Sequence, residues 1–273
     1  MDITTADDDI RYVPEEQDTN SRCAMMHKSR YRWLPDVVDV SNTSILEFGC
    51  GSGYGAGFLA ERGASVMGID ISQAAIAYAT KNFPRAAFRV HDLTDSSFTE
   101  QVSERFDIVV SFDVIEHVEK WWTFLQNIRA LMRHGGVAIV GCPNRTSHFD
   151  FNPFWNRFHV QEFTPAQLEW ALRTQFDDVT VLGQKYLKPA ARARHTARPL
   201  SAAWYIKEAL LQTPLRAPVR NLVRLLHGDE PRRNIKTRAP EDLRQPSEIV
   251  FEKVNMRDRA ALREPFGLVA ICR

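Results

Sequence analysis

Short apolar runs alternate with stretches of helical spacing over most of this chain. Ser44–Phe48 has the length and composition of a strand. Tyr54–Arg62 follows with helix spacing, and Gly63 stands where a glycine ends a helix. Val66–Ile69 predicts a second strand ending at Asp70, and Ser72 is placed to cap a helix running to about Asn82. Ala87–Val90 predicts a third strand, and Phe106–Phe112, strongly apolar and β-branched, a buried fourth. A helix from about Lys120 to Met132, a turn at Gly135-Gly136 and a strand over Val137–Gly141 continue the series. Thr164-Pro165 opens a helix to about Thr174, with Thr as cap and Pro in the first position. Val179–Leu182 and Gly267–Cys272 are the last two strands of seven. Alternation of this kind predicts a mostly parallel sheet with helices on both faces. Ahead of it, residues 1–20 are polar and acidic and predict a loose arm; Arg22 to Val40 has helix-like spacing broken at Pro35.

Composition narrows the class. The chain has 273 residues, 44% of them hydrophobic, enough for one large α/β domain with an insertion. A net charge of +1 gives no electrostatic reason to expect nucleic acid. Cys23, Cys50, Cys142 and Cys272 form no CxxC pair, so neither a disulfide framework nor a zinc knuckle is expected, and a reducing cytoplasm is the expected home. There is no signal-peptide pattern at the start and no apolar run of membrane-spanning length.

The chemistry-bearing residues fall at the carboxyl ends of the predicted strands, where ligands bind in open parallel sheets. Glu47 ends the first strand, followed by Gly49, Gly51 and Gly53, a turn that leaves the backbone bare for close approach. Asp70 follows the second strand, Asp92 the third, Asp113 the fourth and Pro143-Asn144 the fifth. Taken alone, Gly51-x-Gly53-x-x-Ala56 is a weak match to a dinucleotide fingerprint, which leaves a dinucleotide-binding oxidoreductase as an alternative. Against it, Glu47 inside the turn would repel a pyrophosphate, and Tyr54 is not the glycine that fingerprint asks for. A binding subunit that keeps the fold without turnover is a further alternative.

Glu47-Phe48-Gly49-Cys50-Gly51-Ser52-Gly53 resembles motif I of the class I S-adenosylmethionine-dependent methyltransferases. Phe106-Asp107 through Val114-Ile115-Glu116-His117-Val118 resembles their motif IV, and Leu131-Met132-Arg133-His134-Gly135-Gly136 their L-x-P-G-G turn, with His134 in place of proline. Within that superfamily the chain is most like the type 11/23 branch, which holds ubiquinone-pathway O-methyltransferases and bacterial sugar or polysaccharide methyltransferases. Arg11–Glu15, Asn152–Phe154 with Phe158–Thr164, and Val181–Gln184 resemble segments of the glycan-linked members, although Trp155-Asn156-Arg157 interrupts a stretch that relatives often fuse. The resemblance implies a Rossmann-like core with S-adenosylmethionine as cofactor. It implies Glu47 and the three glycines at the methionine portion, Asp70 on the ribose hydroxyls, Asp92 and Leu93 at the adenine, and Ile71 and Phe112 in the same cofactor site. It also implies a hydroxyl acceptor on a sugar or related small molecule, or an amine in the alternative. His117 and His159 are the candidate catalytic bases, with Glu162 to orient either imidazole. Some ubiquinone-pathway relatives hold a divalent cation with an acid-x-x-Glu-His group. Asp113-x-x-Glu116-His117 matches that spacing, ordinary helix-start acids are the alternative reading, and the metal is left unassigned.

The expected organisation is an arm and helix over 1–40, a cofactor-binding core over 41–184, a helical insertion or lid over 185–265, and a final core strand over 266–273. Residues 185–244 carry 14 Lys or Arg against 5 acids. Ser201–Thr213 and Leu215–His227 predict two short helices, the second with Arg216, Arg220 and Arg224 on one face. Such a segment suits a lid over an anionic acceptor, an interfacial helix making peripheral membrane contact, or a solvated basic face. Oligomeric state is not legible.

Overall fold

The computed structural model describes residues 22–146, 159–186, 249–257 and 265–273. The expected arm over 1–20, the segment around Asn152–Phe158 and the two helices within 201–227 lie outside the described residues.

Helix α1 (Arg22–Val37) leads into strand β1 (Ser44–Phe48), α2 (Tyr54–Ala60), β2 (Ser65–Asp70), α3 (Gln73–Asn82) and β3 (Ala87–Val90). The second half runs α4 (Phe98–Gln101), β4 (Phe106–Phe112), α5 (Trp121–Leu131), β5 (Met132–Pro143), α6 (Pro165–Leu172), β6 (Val179–Tyr186), β7 (Ile249–Lys253) and β8 (Gly267–Cys272). The sheet has eight strands in the order β3-β2-β1-β4-β5-β8-β6-β7, one more than the seven expected. β1 to β5 are mutually parallel where they pair, and β8 runs antiparallel between β5 and β6. The additional strand, β7, falls in the stretch expected to be a helical insertion and pairs antiparallel with β6 along the sheet edge.

Strand parity sorts the core into two layers. Leu46, Phe48, Val109, Val140, Leu268 and Ala270 face α5 and α6 on one side. Ile45, Val66, Ile108, Val110, Phe112 and Ile139 face α1 and α2 on the other. A shift of one residue in any of these strands would exchange the two faces, so burial on both sides fixes the register.

Several element bounds differ from expectation for local reasons. α1 runs through Pro35 to Val37: the proline forgoes the bond to the Tyr31 carbonyl and crowds it, and the helix ends two residues later. β5 begins at Met132, ahead of the Gly135-Gly136 turn. The ladder with β4 is irregular between Phe106 and Ile108, Gly135 has φ 77°, and a side chain at Gly136 would meet the Asp107 carbonyl. β6 extends to Tyr186 because β7 takes over as its partner: Val179–Gln184 pair with β8 and Leu182–Tyr186 with β7. α6 begins as expected, with a full capping box in which Thr164 Oγ1 accepts from the Gln167 N–H and Gln167 returns a bond to the Thr164 N–H.

Candidate functional site at the strand carboxyl ends

The chain runs outward from β1 through β2 to β3, then returns to β4 on the opposite side of β1. The crevice outside β1 and β4 is therefore the switch point where open α/β sheets bind ligands. Ser111 Oγ donates to the Phe48 carbonyl at 2.6 Å and ties the two strands together beneath that crevice.

The turn after β1 is built from three left-handed glycines: φ is 92° at Gly49, 51° at Gly51 and 81° at Gly53. They are not equivalent. A side chain at Gly49 would run into Val114, and one at Gly53 into Ala79 and Phe88. At Gly51 a Cβ would meet nothing within 4 Å. The glycine there is not required by protein packing, and it leaves an open cradle in the middle of the turn. Gly49 and Cys50 both donate to the Ile69 carbonyl, at 2.8 and 2.9 Å, which anchors the turn to β2.

Glu47 shares the parity of Ile45, so its side chain points toward α1 and α2, where it is only 1% exposed. Tyr31 on α1 donates its hydroxyl to Glu47 Oε1. Gly55 lets α2 approach, since a methyl group there would strike both the Tyr31 ring and that oxygen. The other oxygen, Oε2, is buried without a hydrogen-bond partner. Burial pushes the Glu47 carboxyl up to about 8, against the pull of Tyr31 and the Ala56 N–H. A buried, half-satisfied carboxyl beside an open glycine cradle fits a ligand that brings a positive charge or a donor.

Asp70 closes the other side. Its Oδ2 accepts from Gly51 N–H at 2.9 Å and its Oδ1 from Ser72 N–H at 2.9 Å. Ser72 then caps α3 by accepting from the Ala75 N–H at 3.2 Å. Asp70 thus acts as a strut between the glycine turn and α3, and each of its oxygens keeps a further lone pair. Ile71 beside it is 66% exposed, an apolar side chain left in the open at the strand end. Asp92 accepts from Thr94 N–H and Oγ1, both at 2.8 Å, and is exposed. Leu93 has its side chain in the core, so any ligand contact from it would come from its main chain. Asn127 of α5 pins this loop by donating to the carbonyls of Leu93 and Asp95, both at 2.9 Å.

Beyond β4 the structure assembles groups that sequence reading missed. Phe112 is buried, with the Tyr31 ring edge-on at 5.2 Å and the Arg30 guanidinium 5.7 Å from its centre. Asp113 sits in left-handed backbone at φ 56°. Its Oδ2 is held by Arg30 Nη1 at 2.5 Å and lies 3.0 Å from His27 Nδ1. Burial works against the Asp113 carboxylate, yet Arg30 and His27 hold it well below the usual range. Arg30, 1% exposed, also donates from Nε to Gln184 Oε1 at 2.9 Å. His27, Arg30, Tyr31 and Gly55 carried no motif signal, since their partners lie far away in sequence; only the helical spacing of 22–37 hinted at an element there.

His117 and His159 do come together, with ring centres 4.8 Å apart at 75°. The segment around His159 is held against the loop after β4. Val160 and Gln161 donate their N–H groups to the Glu116 carbonyl at 2.9 and 3.2 Å, and Gln161 Nε2 donates to the carbonyls of Ile115 and Val118 at 3.0 and 2.9 Å. Glu162 Oε1 lies 2.8 Å from His159 Nδ1, so the orienting carboxylate belongs to His159 and not to His117. Glu116 is buried beside them, and neither of its oxygens has a hydrogen-bond partner. The cation group in its acid-x-x-Glu-His form does not fit this structure, because the charge of Asp113 is already neutralised by Arg30.

The arrangement is that of a methyl-transfer fold, and comparison with known proteins agrees. A family model described as a methyltransferase domain matches residues 18–180, and the chain belongs to that family. A probable S-adenosylmethionine-dependent methyltransferase of Mycolicibacterium smegmatis is 34% identical over 134 residues, 48% of this chain and 50% of that protein. A ubiquinone biosynthesis O-methyltransferase of Pseudomonas fluorescens is 29% identical over 118 residues, 42% of this chain and 51% of that one. The chain thus spans about half the length of the curated relatives it matches. A solved S-adenosylmethionine-dependent methyltransferase of Archaeoglobus fulgidus shares the fold, with a TM-score of 0.56 at 17% identity over 92% of this chain and 94% of that one.

Proposed function

We propose that the protein transfers a methyl group from S-adenosylmethionine to a hydroxyl of a sugar or related small molecule. The observation that carries the cofactor reading is the open cradle at Gly51, flanked by the unpartnered Oε2 of Glu47 and the strut carboxylate of Asp70. In this reading Gly49, Gly51 and Gly53 admit the methionine portion and Glu47 receives its ammonium. Asp70 accepts from the ribose hydroxyls with its remaining lone pairs. Ile71 and Phe112 supply apolar contact, and Asp92 with the Leu93 main chain borders the adenine.

The cofactor supplies a methyl already activated on a sulfonium. The chain's own task is to align an acceptor oxygen with it, keep water out and promote loss of the acceptor's proton. As the O–C bond forms and the C–S bond breaks, that proton must leave toward the cluster of His117 and His159. His159, oriented by Glu162, favours oxygen over nitrogen as the acceptor, because a neutral amine needs no such help. Likeness to glycan-linked relatives supports a sugar, and glycan or natural-product assembly in the cytoplasm is the setting proposed. Among the described residues, no helix is long and apolar enough to cross a membrane.

Methyl transfer to a panel of sugar nucleotides, free glycans, phenols and amino sugars, read as S-adenosylhomocysteine release, tests this. Turnover on a hydroxylated member, reduced about 10²–10⁴-fold by His159→Ala, supports it. Full activity in the His117→Ala/His159→Ala double variant would shift the assignment to an amine.

A further inference from the structure

We infer that Glu116, His117 and His159 form a binding site for one divalent transition-metal cation. Their ligating atoms all lie within 4.8 Å of one another, although His159 is more than 40 positions away in the chain. Two imidazoles and one carboxylate are the donor set that suits zinc, iron(II), cobalt(II) or nickel(II) better than magnesium or calcium.

The strongest single observation is Glu116. It is 1% exposed, and both carboxylate oxygens lack a hydrogen-bond partner. A buried carboxyl left in that state is costly, and a structure that keeps one calls for a reason. Arg30 does not supply it, since its hydrogen bonds go to Asp113 and Gln184. His117 Nε2 is 3.9 Å from Glu116 Oε1, outside hydrogen-bond reach. Both facts are consistent with the carboxyl being pushed well above its usual range, by burial first and by Asp113 second.

His159 adds an independent observation. Glu162 engages its Nδ1 at 2.8 Å, which sets the proton on that nitrogen and the lone pair on Nε2. A carboxylate behind an imidazole in this way is the usual support of a metal-bound histidine. The Val160 and Gln161 bonds to the Glu116 carbonyl join the two ligand-bearing segments, so the site is assembled by backbone contacts before any ion arrives. Adjacent ligands about 2.1 Å from an ion in tetrahedral geometry stand about 3.4 Å apart, closer than the 4.8 Å within which the three donors lie.

Asp113 is not a member, and this separates the set from the acid-x-x-Glu-His group of the resemblance: the third ligand comes from the segment before α6. With a cation bound, the acceptor's proton would be loosened by the ion that the imidazoles hold, through a lowered pKa of a hydroxyl that reaches it; without one, the imidazoles take the proton themselves as proposed above. That use rests on the proposed hydroxyl transfer; the binding itself does not.

The test is cobalt(II) titration of the tag-free full chain after removal of metals by chelator, read by visible absorption, with zinc content measured by mass spectrometry. One equivalent is expected, with visible bands in the region of nitrogen and oxygen coordination. Glu116→Gln and His159→Ala should each weaken uptake at least about 10-fold, and Glu162→Gln about 10–100-fold, with circular dichroism unchanged. No uptake by the wild-type protein, or uptake indifferent to Glu116→Gln and His159→Ala, overturns the site. S-adenosylhomocysteine binding is measured on the same samples. Cofactor binding without cobalt sinks the cation site alone, and cobalt without cofactor sinks the methyl-transfer reading alone.

Discussion

Glu47 carries a cost in the fold and, in the proposed reading, a function. Its carboxyl titrates near 4.5 in the unfolded chain and near 8 in the fold. Between those values the folded protein holds a proton that the unfolded chain has lost. Stability from this group is therefore full below about pH 4.5 and declines as pH rises toward 8. An ammonium seated at Oε2 favours the carboxylate and expels the proton. Cofactor binding at about pH 6.5 is expected to release close to one proton, read as a dependence of the calorimetric enthalpy on buffer ionisation enthalpy. Glu47→Gln should abolish that dependence; an equal dependence in the variant would refute the assignment. The glycines give a second contrast. Gly51→Ala should cost about 1–2 kcal/mol, the left-handed backbone term, while cutting cofactor affinity far more, because its methyl enters the cradle. Gly55→Ala should do the reverse, lowering the melting temperature by driving α2 off Tyr31 and Glu47. Equal loss of stability in the two variants would contradict the distinction.

Helix α1 lies across the switch point and secures the acids at the ends of β1 and β4. Tyr31 meets Glu47, and Arg30 meets Asp113 and Gln184. Gln184 in turn donates to the Met26 carbonyl at 2.9 Å and to Ser29 Oγ at 2.7 Å, so the network joins α1 to β6. Removing Arg30 leaves the buried Asp113 carboxylate with His27 alone to offset its burial. Arg30→Met is expected to destabilise the protein by about 3–5 kcal/mol, seen as a lower urea midpoint. Adding Asp113→Asn should restore part of the loss, and a single-variant loss below about 1 kcal/mol would show that the pair is not important. This element was the least legible in the sequence. Residues 22–37 have helix spacing, but nothing local says that positions 30 and 31 find partners at 113, 184 and 47. Pro35 also suggested a break that the last turn of α1 absorbs.

At the scale of the whole molecule, the parallel half was legible because each of its strands is an apolar run closed by a polar residue with chemistry. Glu47, Asp70, Asp92 and Asp113 mark the carboxyl edge of the sheet in the sequence itself. The antiparallel half was less so. Ile249–Lys253 carries two charged residues in five and lies just beyond the basic stretch 185–244, so its pairing with β6 left no periodic signal. The candidate site divides along the same line. The residues proposed to meet the cofactor are written in strand ends. Those proposed to meet the acceptor lie on segments that meet only in the fold, with Gln161 clasping the loop after β4 and His159 brought against His117.

The crevice between β1 and β4 is proposed to bind S-adenosylmethionine through Asp70 and the glycine turn. Calorimetric titration with S-adenosylhomocysteine and with NAD, on wild-type protein and on Asp70→Ala, addresses this most directly. Asp70→Ala is also expected to cost about 1–3 kcal/mol of stability through its two lost backbone bonds, so the titration is run where circular dichroism shows the variant folded. Micromolar binding of S-adenosylhomocysteine to the wild type, a sharp loss in the variant and no heat with NAD are expected. Binding of NAD in place of S-adenosylhomocysteine, or equal affinity of wild type and variant, would contradict the proposal.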